Sequence, residues 1–109
     1  MTTANRPRTP PGLGKDGRKF FKQAVEDFNI ERHNLEILKQ ACKCLDDLSL
    51  YEETIESKGR FYTDRYGQPK EHPAVTATRQ TRGLFQRLVR EIGFNLADQS
   101  ESRPPRKGG

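Results

Sequence analysis

Residues 29–59, NIERHNLEILKQACKCLDDLSLYEETIESKG, decide the fold. Leu35, Leu38, Cys42, Leu45, Leu48, Tyr51 and Ile55 recur by threes and fours, the period that gathers side chains on one side of an α-helix. Asn29 has the side chain to cap its start, and Gly59 suits the position just past its end. Upstream, Phe21, Ala24, Val25 and Phe28 repeat the same period, giving a shorter helix over Lys15 to Phe28 with Lys15, Arg18, Lys19 and Lys22 on its outer side. Downstream, Pro73 suits the first turn of a third helix, because its missing N–H costs nothing there. That helix is expected to run to about Ile92 and stop at Gly93. Arg60 to Lys70 breaks the period, is rich in aromatics and holds Gly67 and Pro69, so a short irregular hairpin is expected. The fold class is therefore mainly α: three helices with a hairpin between the second and third.

The chain has 109 residues, too few for two domains that each bury a core. Leu, Ile, Val and Phe number 22, and all but Leu13 fall between Phe20 and Leu96. This divides the chain into a disordered basic arm at 1–14, a helical domain at 15–96 and a disordered basic tail at 97–109. Five of the seven prolines lie in those arms, which agrees with extended chain. So thin a core invites oligomerisation. Phe20, Phe61, Tyr62 and Phe94 exceed what three short elements can cover, and a closed oligomer would bury them.

Charge sorts along the chain. Residues 1–22 hold six bases and one acid, 23–71 seven bases and eleven acids, and 72–97 four bases and one acid. The acids concentrate on the second helix. On the third, Arg79, Arg82 and Arg90 line the side opposite Leu84, Phe85, Leu88 and Ile92, with Arg87 beside them. Such a stripe can hold phosphate or carboxylate, leaving a nucleic-acid backbone and a neighbouring subunit's acidic helix both open.

No catalytic constellation is found. Residues 12–17, GLGKDG, have glycines and a lysine but no preceding strand and no Ser or Thr in place, so they make no phosphate loop and are expected to form a flexible lead-in. His33 and His72 lack second ligands at metal spacing; His33 is expected to be exposed and His72 to cap the third helix. Cys42 and Cys44 point about 200° apart on a helix and can neither bridge nor chelate, so one is expected in the core and one near the surface. Adjacent acids such as Asp46 and Asp47 splay about 100° apart and cannot face one substrate. The chain is read as a non-enzyme without cofactor or metal. With no apolar run of about 18 residues and no secretory signal, a soluble cytosolic protein without membrane contact is expected.

From about Gly17 to Phe94 the chain resembles the small subunit of the tailed-bacteriophage terminase in its compact all-helical form. The resemblance rests on the long helix ending Ile55-Glu56-Ser57-Lys58-Gly59, the insert with Gly67, then His72-Pro73-Ala74, and the closing Arg90-Glu91-Ile92-Gly93-Phe94. It implies a DNA-packaging component of the bacterial host cytoplasm. Such a component forms a ring-shaped homo-oligomer, recognises the packaging site on double-stranded viral DNA, and recruits and regulates the large terminase subunit. The alternative is a small helix-turn-helix transcriptional regulator. The long insert between helices 2 and 3, and a link between helices 1 and 2 without glycine, speak against it.

Three groups of residues carry these expectations. Arg6, Arg8, Lys15, Arg18, Lys19 and Lys22 are expected to contact DNA phosphates. Arg79, Arg82 and Arg90 are expected to meet Glu52, Glu53 and Glu56 of a neighbouring subunit. Arg103, Arg106 and Lys107 are assigned to the large subunit.

Overall fold

The computed structural model describes residues 7–99, and side chains as far as residue 93. Its elements are α1 (Lys15–Asp27), α2 (Arg32–Lys58), β1 (Phe61–Thr63), β2 (Pro69–Glu71) and α3 (Pro73–Gln99). The expected architecture of three helices with a hairpin between the second and third is the one found. Arg6, Arg103, Arg106, Lys107 and the side chain of Phe94 lie outside the described part, as do residues 1–6 and 100–109 of the two arms.

Helix α2 packs against both α1 and α3, which also touch each other through Phe20 and Phe85. The apolar stripe explains this double role, because its period drifts around the helix. Leu38, Cys42 and Leu45 lie on one side, while Ala41, Cys44, Leu48 and Ile55 lie about 100° round from them. Both cysteines are consequently buried, Cys42 fully and Cys44 at 4% exposure. The expectation of one surface cysteine is corrected: positions about 200° apart on a helix can both be covered when that helix has two neighbours. Burial pushes the Cys42 thiol up to about 12, with the Asp46 carboxylate adding to the effect. Cys44 is raised for the same reason, with Asp47 contributing.

Two helix ends differ from the sequence expectation. Glu31, not Asn29, precedes the first turn of α2. Phe28 and Glu31 are both extended, and the extended link between the helices carries Ile30 into the core. Because α1 stops at Asp27, Phe28 leaves the helical wheel and is 55% exposed instead of joining the buried face. The third helix passes through Gly93 to Gln99. Gly93 lacks the left-handed backbone of a helix terminator, and Asn95-Leu96-Ala97 permits continuation. Gly59, by contrast, does end α2, with φ of 86° and its N–H donating to the Ile55 carbonyl at 2.7 Å.

The hairpin pairs Phe61 with Glu71, Tyr62 with Lys70 and Thr63 with Pro69, antiparallel. Asp64 organises its turn. The Tyr66 and Gln68 N–H groups both donate to Asp64 Oδ1 at 2.9 Å, and Gly67 supplies the positive φ the turn needs. His72 then caps α3, its Nδ1 accepting from the Ala74 N–H at 3.0 Å.

Candidate nucleic-acid interface

The N-terminal end of α1 is built by a residue thirty positions away. Gly14 N–H donates to Asp46 Oδ2 at 2.7 Å and Gly17 N–H to Asp46 Oδ1 at 2.8 Å. One carboxylate thus satisfies two backbone donors at a helix start, where negative charge is also favoured by the helix dipole. Ser49 adds a second tie between the helices, its hydroxyl donating to Asp16 at 2.6 Å. The approach is close enough that only glycine fits: a Cβ on Gly17 would stand 2.5 Å from Asp46 Oδ2 and 2.8 Å from the Cys42 carbonyl oxygen. Leu13, set outside the folded part by the sequence reading, is 3% exposed and belongs to the core cluster. The GLGKDG stretch is thus no flexible lead-in. Its glycines let backbone lie against α2, and its one leucine anchors it.

This arrangement fixes what α1 presents outward. Lys15, Arg18, Lys19 and Lys22 are all exposed and fall within about 100° of arc on the helix; Glu26, one turn beyond Lys22, ends the basic run. Arg18 Nη1 donates to the Leu13 carbonyl at 2.6 Å, which holds its guanidinium over the anchored segment. Arg8 is exposed as well. The backbone N–H groups that make a helix N-terminus an anion site are partly committed to Asp46. Any phosphate on this face is therefore met by side chains.

The third-helix arginines are distributed differently. Arg82 pairs with Glu52 at 3.4 Å and Arg79 with Glu71 at 3.1 Å, all within one chain. The Arg79 hydrogen bond holds the Glu71 carboxyl below its ordinary range; desolvation opposes it, and the Arg79 charge and the Thr76 hydroxyl add to the lowering. A groove of about 390 Å³ between α2 and α3, floored by Ile55 and Val75, brings Glu52, Glu56, Arg79 and Arg82 together. Glu53 faces a separate groove beside Asp46 and Asp47, and Arg90 lies exposed about two turns beyond Arg82. One charge match between α2 and α3, Arg82 with Glu52, is thus made inside the chain. His33 is exposed, 3.7 Å from Glu31.

Sequence reasoning missed Asp46, which it read only as half of a splayed acidic pair, and Leu13 with Gly17. The available signal was a single leucine among spaced glycines directly before an amphipathic helix. Among the described residues, no three His, Cys, Asp or Glu side chains gather where they would hold a metal ion, and no helix is long and apolar enough to cross a membrane.

The described residues thus form a small helical unit with one basic face on α1 and an exposed aromatic hairpin. A family model described as phage terminase, small subunit, matches residues 18–108, and the chain belongs to that family. Small terminase subunits are non-catalytic, and their general role is in packaging viral DNA. Comparison with curated proteins and with solved structures finds no match.

Proposed function

We propose that the protein binds double-stranded viral DNA at the packaging site, assembles with copies of itself into a ring, and recruits and regulates the large terminase subunit, which carries the ATPase and nuclease. The observation that supports this most is the basic face of α1, four bases held on one surface by a helix whose start is pinned to α2. Such a face neutralises phosphates without reading bases, so recognition of a particular site requires several copies acting together. Arg6 and Arg8 extend the contact from the arm. Arg103, Arg106 and Lys107 remain our assignment for the large subunit.

Arg79 and Arg82 are largely occupied within the chain. Exposed pairs of this kind are worth under about 1 kcal/mol each; Arg82 with Glu52 helps seat α3 on α2 and Arg79 with Glu71 ties α3 to the hairpin, and both are secondary at a subunit boundary. Arg90, with Glu53 and Glu56, stays available there. The transcriptional-regulator reading fares worse. Helix α2, which would have to enter the major groove, is covered on two sides, and its exposed positions include Glu36, Asp47, Glu52 and Glu53, which phosphates repel.

Light scattering on the full chain without and with duplex DNA tests the proposal. We expect a mass several times the 12.5 kDa of one chain before DNA is added, with DNA adding its own mass to the assembly. A monomer or dimer that binds DNA without further association would overturn it in favour of the regulator.

A further inference from the structure

Two features at opposite ends of the molecule are unexplained by the DNA-binding face. At one end, the hairpin leaves Phe61 64% exposed on a two-stranded ribbon. At the other, where the start of α2 meets the ends of α1 and α3, Phe20, Ala24, Phe28, Ile30, Val89 and Ile92 surround an almost wholly apolar depression of about 230 Å³. A cavity of about 150 Å³ is enough for benzene, so this one admits a phenyl ring. Helix α2 separates the two features by 27 residues, about 40 Å at 1.5 Å per residue. A chain therefore cannot fill its own depression with its own hairpin. Nor do residues 100–109, SESRPPRKGG, offer an aromatic or aliphatic side chain beyond two prolines to fill it.

We propose that Phe61 of one copy seats in the apolar depression of the next, an inference that rests on the self-assembly proposed above and names its contact. Charge favours the same pairing. Residues 60–71 around Phe61 carry three bases, Arg60, Arg65 and Lys70, against two acids, Asp64 and Glu71, the latter paired with Arg79. Residues 26–32 beside the depression carry three acids, Glu26, Asp27 and Glu31, against one base, Arg32, so the net signs of the two ends are opposite. Opposite signs steer the two ends together and set the rotation of one copy on the next. Because a different surface is used on each partner, the contact is head-to-tail, the kind that closes into a ring when the rotation per subunit allows.

The test uses light scattering on four full-chain samples: the natural protein, Phe61→Ser, Gly93→Leu, and an equimolar mixture of the two variants. Gly93 lines the depression, is helical, and has nothing within 4 Å of an added Cβ. A leucine there fills the hole without straining the backbone. Circular dichroism checks that both variants keep the natural helix content. We expect each variant alone to fall to the mass of one chain. The mixture should reach twice that mass and no more, since only the Phe61 of Gly93→Leu and the open depression of Phe61→Ser can still join. A variant that keeps the natural mass overturns the proposal, as does a mixture that stays monomeric. A natural protein that is itself monomeric overturns the assembly reading instead, which the first sample alone reveals.

Discussion

Residues 12–17 and the hairpin at 61–71 reverse the usual correspondence between composition and burial. The first is half glycine with two charged residues, yet Leu13 and Gly17 are among the most buried residues of the chain. The second holds three of the chain's aromatic residues, and all three are exposed, Tyr66 at 75%. Glycine allows backbone to lie directly on α2 within reach of Asp46, so a polar-looking segment becomes part of the core. Aromatic rings on a two-stranded ribbon have no third element to cover them and are left for a partner. Small size is what permits burial in one region, and large apolar area is what demands an intermolecular contact in the other.

The contrast is broken most directly by truncating each region. Leu13→Ala should cost about 2–5 kcal/mol, the range for truncating a buried leucine, and lower Tm by about 4–8 °C per kcal/mol. Tyr66→Ser should cost less than about 0.5 kcal/mol. Thermal unfolding that ranks the two the other way would mean that the hairpin, not the glycine segment, holds the fold.

Removing the Asp46 carboxylate sharpens the same point. Asp46→Ala leaves Gly14 and Gly17 N–H without their acceptor, and a loss of about 2 kcal/mol is expected, read by urea unfolding. Hydrogen exchange at those two amides should accelerate well beyond the change at the α2 core. Unchanged exchange would show that the carboxylate is not what secures α1.

Two glycines then give effects of opposite sign. Gly17→Ala forces a Cβ onto the Cys42 carbonyl and should destabilise by about 1–3 kcal/mol, despite alanine's better helix propensity. Gly93→Ala meets no neighbouring atom and should stabilise by up to about 1 kcal/mol. Equal shifts in Tm would contradict the close approach at Gly17.

The smallest effect at neutral pH comes from the thiols. With Cys42 raised to about 12, the folded chain keeps a proton that the unfolded chain loses near pH 8.5. Its contribution is therefore complete below that pH and is lost as pH climbs toward 12. Neither thiol should react with a thiol reagent in the native state, and both should react in urea. Prompt native labelling of Cys42 would refute its burial.

How much of this is legible in the sequence depends on whether the cause is local. The period from Leu35 to Ile55, Gly59, Gly67 and the His72-Pro73 pair act through neighbouring backbone, and they place α2, the hairpin and the start of α3. The basic side of α1 is legible for the same reason, from the spacing of Lys15, Arg18, Lys19 and Lys22. What is not legible is set by contacts distant in sequence. Asp46 caps a helix some thirty residues earlier, Cys44 is covered because α2 has two neighbours, and the α2 start is displaced to Glu31 by the need to bury Ile30. The pairing of Arg82 with Glu52 was visible as a charge match, but periodicity carries no information on whether such a match lies within one chain or between two.

The central claim is that the pinned α1 face meets DNA phosphates, and the salt dependence of binding tests it most directly. Affinity for a labelled duplex is measured by anisotropy across a range of salt for the natural chain and for a variant with Lys15, Arg18, Lys19 and Lys22 all changed to glutamine. At about 0.9 per neutralised phosphate, the slope of log K against log salt should be shallower by roughly 3 to 4 in the variant, with helix content and solution mass unchanged. An identical slope in the two proteins would contradict the account, because it would mean that DNA is held elsewhere and the basic face of α1 is idle.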